Sequence, residues 1–191
     1  MNSSKRRDEI LSTAMEIIFK QGYYKLTIRN IAKQINISEA GIYRHFNNKE
    51  EIISELCNLV FYKNQFWNKN ISQIDPFELL SKIIMKQLKI LGDNPFLSAI
   101  LFQEEIFSEY PKIKEKFNYH RIRNEKIITE IILNGQKSGA ISHNLDPAVF
   151  AILYMGSIRI IVLKWRYSNF AYHLEEEAKR VIQQLFMFIR T

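Results

Sequence analysis

The stretch "LTIRNIAKQINISEAGIYRHF", Leu26–Phe46, holds two short apolar periods with three residues between them. In the first, Ile28, Ile31, Ala32 and Ile35 follow the i, i+3, i+4, i+7 spacing of a single helical face, and Thr27 precedes them as an N-cap. In the second, Ser38 is the cap, and on a wheel of about 100° per residue Ile42 and Phe46 fall together while Ala40 and Arg44 lie toward the opposite side. The intervening "INI" is long enough only for a turn, and Asn36 tolerates left-handed backbone better than most residues. Two helices so joined, Thr27 to Gln34 and Ser38 to Phe46, predict a helix-turn-helix.

The second helix carries a glycine at its centre, which costs about 1 kcal/mol relative to alanine. A helix laid in the major groove of DNA must bring its backbone close to base edges, and a residue without a side chain removes the steric limit. On that reading Ala40 and Gly41 are the close-approach positions, beside His45. Arg44 pairs with a guanine edge or a phosphate, and Tyr43, on the border of the wheel, places its hydroxyl on a phosphate. Glu39 either accepts from a cytosine amino group or simply favours a helix N-terminus. Phosphate clamps belong at element ends, where backbone N–H groups are free, so Thr27 with Arg29 and Lys49 bracket the reading helix. Lys5, Arg6 and Arg7 are either a mobile basic arm or an ordinary frayed terminus.

Outward from this stretch the chain reads as helix throughout. A first helix places Ile10, Ala14, Ile17 and Ile18 on one face and stops at Gly22. Asn48-Lys49-Glu50 starts another that runs to about Asn70, where "NKNISQIDP" reads as a linker. Pro76, Pro95, Pro111 and Pro147 each open a further helix, the third reaching Ser138, and a last one spans about Leu174 to Ile189 with Glu175, Glu176 and Glu177 at its positive end. The expectation is an all-α chain of about nine helices, a three-helix head followed by a helical bundle, divided into residues 1–50 and 51–191.

Charge follows the same division. Residues 1–50 hold nine Lys/Arg against five Asp/Glu, and residues 51–191 hold eighteen against fifteen, so the overall +7 is concentrated in the first quarter. A basic head on a nearly balanced body suits a polyanion partner, although lysine-rich surfaces also serve solubility alone. The single cysteine, Cys57, excludes an internal disulfide and a four-cysteine zinc site, and fits a reducing cytoplasm. No apolar stretch of signal-peptide length opens the chain. Ala148 to Leu163 falls short of the roughly 20 apolar residues a bilayer needs and contains Arg159, so it reads as a buried helix and no membrane partner is expected.

The run "LTIRNIAKQINISEAGIYRHFNNKEEII", Leu26–Ile53, resembles the DNA-binding head of the TetR family of bacterial repressors in its threonine cap, Ile-Ala pair, serine-led second helix, Tyr-x-x-Phe step and Lys-Glu helix start. Upstream, "ILSTAMEIIFKQGYYKLT" is similar to that family's first helix and its Gly-aromatic exit, and "GAISHNLDP" with "MGSIRIIVLKWRYSNFAYHLEEE" resembles a C-terminal pattern of some members. One position departs from the pattern: the turn holds Asn36 where glycine is usual. The resemblance implies a cytoplasmic homodimer that binds a palindromic operator on double-stranded DNA and releases it when a small-molecule effector enters the C-terminal domain.

A two-fold dimer doubles the contact set of a head that alone spans few base pairs. The last two helices are its candidate surface: Gly156 permits close packing, and Ala178, Val181, Ile182, Leu185 and Ile189 form a stripe that belongs to an interface or to the internal core. Trp67, Phe102, Phe117 and Tyr154 are candidate walls of an apolar effector pocket, with His120 orienting a polar group, or are plain core. Coupling would run through the fourth helix, which joins head to body. An alternative keeps the DNA head but gives the body a protein partner. A remote one is a helical metal enzyme, against which none of the four histidines lies three residues after a glutamate and no nucleophile motif occurs. No cofactor and no metal is expected.

Overall fold

A computed structural model describes residues 3–61, 74–102 and 104–190. In order these form α1 (Ser3–Gln21), a single tight turn at Tyr23–Lys25, α2 (Ile28–Gln34), α3 (Glu39–Tyr43), α4 (Lys49–Phe61), α5 (Pro76–Asp93), α6 (Leu97–Ile100), α7 (Glu104–Glu109), α8 (Pro111–Lys137), α9 (Pro147–Tyr167) and α10 (Leu174–Ile189). The all-α reading holds. Among the described residues the stretch opened by Pro95 is divided into α6 and α7, and the only extended pairing is one bridge between Ile141 and Arg190. The linker reading of "NKNISQIDP" lies largely outside the described residues, as does Trp67.

The chain divides into two compact units, residues 1–63 with 94–117, and residues 64–93 with 118–191. The first is larger than the expected head, because residues 94–117 return to it. Its core is aliphatic: Ile10, Ala14, Ile17 and Ile18 of α1, Ile31 and Ala32 of α2, Ile42 of α3, and Ile52, Ile53, Leu56 and Cys57 of α4 are all buried. α6 packs against α1 and α4 and is buried over its whole length. Ser98 survives there because its hydroxyl donates to the Pro95 carbonyl at 2.6 Å, which satisfies a group whose burial would otherwise be costly.

In the second unit α10 packs on α5 and on α9. Leu174, Ala178, Ile182, Phe186 and Ile189 form its inner face. α9 starts as its sequence demands: the Asp146 carboxylate accepts from the backbone N–H groups of Ala148 and Val149 at 2.8 and 3.1 Å, and Pro147 has no N–H to leave unsatisfied. The corner after α8 is built around Gly135, where an added Cβ would lie 2.5 Å from Ile141 Cδ1. Buried Gln136 fastens the same corner by donating to the carbonyls of Ser142 and Leu145 at 2.9 and 2.8 Å. The reading of α9 as a buried helix needs correction. It is long and apolar enough by composition to cross a membrane, yet only 33% of that window is buried in this chain. Val149, Ile152, Leu153 and Ile160 all face outward, each more than half exposed.

Candidate nucleic-acid interface

Three local devices shape the reading element. Thr27 Oγ1 accepts from the Asn30 N–H at 3.0 Å and starts α2. Asn36 adopts φ 55°, the left-handed conformation that turns the chain between α2 and α3. Ser38 Oγ then accepts from the Gly41 N–H at 3.1 Å and starts α3. Each cap satisfies a helix-end donor and stabilises its helix by about 1 kcal/mol. The regular part of α3 is shorter than Ser38 to Phe46, but both His45 N–H and Phe46 N–H still bond the Ile42 carbonyl, so the chain stays coiled to Phe46.

Ile42 and Phe46 are buried beneath this element. Thr27, Arg29, Ser38, Glu39, Ala40 and Arg44 are exposed, Gly41 and His45 are half-buried, and Tyr43 is 52% exposed. The expected contact residues other than Lys49 are thus accessible, wholly or in part. Gly41 requires a second explanation beside close approach. A Cβ there would meet the Ile37 side chain at 3.2 Å, so the glycine also relieves crowding inside the turn.

The basic run Lys5–Arg7 and Lys49 have surroundings the sequence does not suggest. Lys5, Arg6 and Arg7 form neither arm nor frayed end, because α1 already begins at Ser3. Arg6 pairs with Glu9 at 2.6 Å. The Arg7 guanidinium lies 4.1 Å over the Phe46 ring, donates to the His45 carbonyl and to Glu55, and reaches Glu51 at 3.3 Å. It therefore ties α1, the end of the reading element and α4 together, a use that a planar fork of donors suits. Glu51 also accepts from the Asn47 N–H at 2.7 Å, and this backbone bond, followed by Arg7, holds its carboxyl below the usual range. Lys49 does open α4, but its ammonium sits 3.1 Å from Glu109 Oε1 and 4.4 Å over the Tyr23 ring. Glu109 accepts from Tyr23 and Tyr110 as well, the latter at 2.6 Å. Burial alone would raise the Glu109 carboxyl, yet bonds from Tyr110, Tyr23 and Lys49 outweigh it and hold it low. The partners of Arg7, and the Tyr23 and Lys49 that meet Glu109, lie tens of residues away and leave no local signal in the sequence.

The remaining expectations concern the rest of the chain. Of the pocket candidates, Trp67 lies outside the described residues, Phe102 and Phe117 are half-buried in the first unit, and His120 and Tyr154 belong to the second. Tyr154 is core rather than cavity wall: it is fully buried, and its hydroxyl donates to the Leu80 carbonyl at 2.6 Å. His120 is half-buried with its ring edge-on to Tyr119. Cys57 is buried, and burial pushes its thiol up to about 12, which suits a structural side chain better than a redox sensor. The α10 stripe divides by face. Ala178, Ile182 and Ile189 fill the unit's own core, whereas Val181 and Leu185 are half-buried and line a shallow surface groove with Phe188. Gly156 is exposed, with open space where a Cβ would stand.

Comparison with known proteins agrees with this geometry. The family model for bacterial regulatory proteins of the tetR family matches residues 10–56, and the model for the YsiA-like C-terminal region matches residues 59–187. A protein of Escherichia coli (strain K12) described as "Probable acrEF/envCD operon repressor" is 25% identical over 192 residues, 95% of this chain and 85% of its own. The ketosteroid transcriptional regulator KstR2 of Mycobacterium tuberculosis shares the fold with a TM-score of 0.81 at 18% identity, covering 97% of this chain and 95% of its own. The transcriptional regulator FadR of Bacillus subtilis, solved in complex with stearoyl-CoA, does so with a TM-score of 0.70 at 24% identity, covering 94% and 97%. A capped helix pair with a small, polar, exposed edge, followed by a helical body that the second model matches nearly end to end, makes this chain a member of the TetR family of DNA-binding transcriptional regulators.

Proposed function

We propose that this chain is a homodimeric repressor, cytoplasmic, whose residues 1–50 bind a palindromic operator and whose body releases it on taking up a small molecule. The observation that carries the reading is the edge formed by Ser38, Glu39, Ala40, Gly41, Tyr43 and Arg44, exposed or half-exposed above the buried Ile42 and Phe46. Side chains short enough to admit a base pair sit at the N-terminal end of the helix, where its partial positive charge favours phosphate. Arg44 is the candidate reader of a guanine edge. Thr27, Arg29, Tyr43 and His45 are candidates for backbone contact, which fixes register without specifying sequence.

The outward face of the second unit supports a dimer. On α9, Val149, Ile152, Leu153, Gly156 and Ile160 follow helical spacing along one exposed side, and on α10 Val181, Leu185 and Phe188 do the same. Phe188 is 81% exposed. Contiguous apolar surface of this kind marks an interaction site, and the bare backbone at Gly156 lets a second helix approach closely. For the effector, the stearoyl-CoA bound by the FadR relative in fold makes a long-chain acyl-CoA the first molecule to try.

Selection of duplexes from a random pool by the purified protein, followed by footprinting, tests the reading. An inverted repeat with half-sites near whole helical turns is expected. On that duplex Arg44→Ala should cost about 1–3 kcal/mol in binding and relax selectivity at one position per half-site, with the dimer intact. Saturable release by stearoyl-CoA would identify the effector class. Enrichment of no duplex over random competitor at moderate ionic strength would overturn the reading.

A further inference from the structure

The cluster around Glu109 joins the turn after α1 and the start of α4 to the corner between α7 and α8, all inside the first unit. Glu109 is the last residue of α7, and Tyr110, beside it, provides the carbonyl that accepts from Ile113 and Lys114 in the first turn of α8. Three donors converge on this one carboxylate: the Tyr23 hydroxyl from the turn after α1, the Tyr110 hydroxyl at 2.6 Å, and the Lys49 ammonium at 3.1 and 3.4 Å to its two oxygens. Lys49 is further held over the Tyr23 ring at 4.4 Å. Its side chain is only 24% exposed, although it stands at the very start of α4, where a phosphate clamp is expected.

We propose that Glu109 competes with a DNA phosphate for Lys49, so that the number of phosphates the head neutralises depends on the placement of the α7–α8 corner. The inference rests on the DNA-binding reading above and adds its regulation. An ammonium is a point charge with three donors, and it gives its full interaction to one anion at a time. While Glu109 holds it, one cation per head is withdrawn from the duplex. The two tyrosines keep the carboxylate charged and aimed, since their hydroxyls donate to the same oxygens. α8 starts at this corner and runs on from Pro111 to Lys137, from residues of the first unit into residues of the second. A change in the body that displaces the start of α8 therefore carries Glu109 with it. Release of Lys49 strengthens operator binding, and its recapture weakens it.

Glu109→Gln removes the charge and keeps a carbonyl oxygen for one tyrosine, while the hydroxyl that bonds the other carboxylate oxygen turns to accept from the amide N–H, at a side chain already 44% exposed. The probe is the duplex that the wild-type protein selects from a random pool. With Glu109→Gln the affinity at 0.1 M salt should rise several-fold, up to about tenfold, and the slope of log K against log salt should steepen by about one per head. Both gains should vanish in the Lys49→Ala background. Should Glu109→Gln fail to fold, Glu109→Asp, which retracts the carboxylate by one methylene, should move both quantities the same way by less. Tyr23→Phe, which keeps the ion pair, should leave the salt slope alone. Unchanged or weaker binding by Glu109→Gln, or a gain that persists without Lys49, overturns the competition while leaving the DNA-binding reading intact. If the wild-type protein enriches no duplex, both fall together.

Discussion

The two units dispose of their large apolar residues in different ways. In the first, most described aliphatic groups of α1 to α4 are buried, and the large apolar side chains exposed among the described residues are Tyr24 and Tyr43, each with a hydroxyl. In the second, α9 and α10 each have two apolar faces, one packed on the unit's own core and one bearing Leu153, Ile160 or Phe188 to the outside. The head is closed by its own chain and shows polar groups to a polar partner. The body leaves apolar surface of the kind that marks an interaction site. The same helical vocabulary thus supports two kinds of recognition, separated by whether the outer face is solvated or sticky.

The largest effect should come from breaking the closed side. Phe46→Ala removes a ring that is 1% exposed and lies under Arg7, and should cost about 3–5 kcal/mol, read as a lower urea midpoint by circular dichroism. A loss below about 1 kcal/mol would mean that the head is not packed as described. Next, Leu153→Glu places a charge on the open side without touching the core. Its dimer should dissociate by at least about 2 kcal/mol in sedimentation velocity, with helicity unchanged. A dimer of full strength would erase the contrast between the units.

A smaller change sharpens the head alone. Ser38→Ala deletes the acceptor for the Gly41 N–H and should lower stability by about 1 kcal/mol, with a greater proportionate loss in DNA binding because the cap sits within the reading element. The smallest concerns pH. The Asn47 N–H, then Arg7, depresses the Glu51 carboxyl in the folded state, so its contribution is fully present above the unfolded carboxylate range and is lost as pH falls through the lower folded value. Urea midpoints followed downward from pH 6 should fall less steeply for Glu51→Gln than for wild type; parallel curves would remove the Arg7–Glu51–Asn47 group from the account of the head.

How much of this was legible in the chain follows the distance between interacting residues. Thr27, Ser38 and Asp146 act on N–H groups two or three residues on, and Asn36 acts on its own backbone, so each is visible to a reader of neighbours. The inward faces of the head were visible too, through helical spacing. Gly41 was half legible: its exposure fits close approach to DNA, while its contact with Ile37 depends on how the turn folds back. Arg7 is neither arm nor frayed end, and neither reading could show it, because its partners, His45, Glu51 and Glu55, are brought to it only by the packing of α1 on α4. Lys49 was placed at the right helix start, while its ion pair stayed illegible because Glu109 lies 60 residues further along. In α10 the spacing named a stripe, yet it merged residues from two sides of the helix.

Sequence by itself determined the helices, their caps, the turn between α2 and α3, and the small, polar character of the edge proposed to meet DNA. These are settled by backbone geometry and by hydrogen bonds spanning a few residues, which the order of side chains fixes directly. Tertiary structure alone decided which apolar faces remain outward on α9 and α10, which cation pins the reading element, and which carboxylate holds Lys49. Those contacts join residues whose separation along the chain is large, and only the packing of one helix on another brings their charges and surfaces within reach.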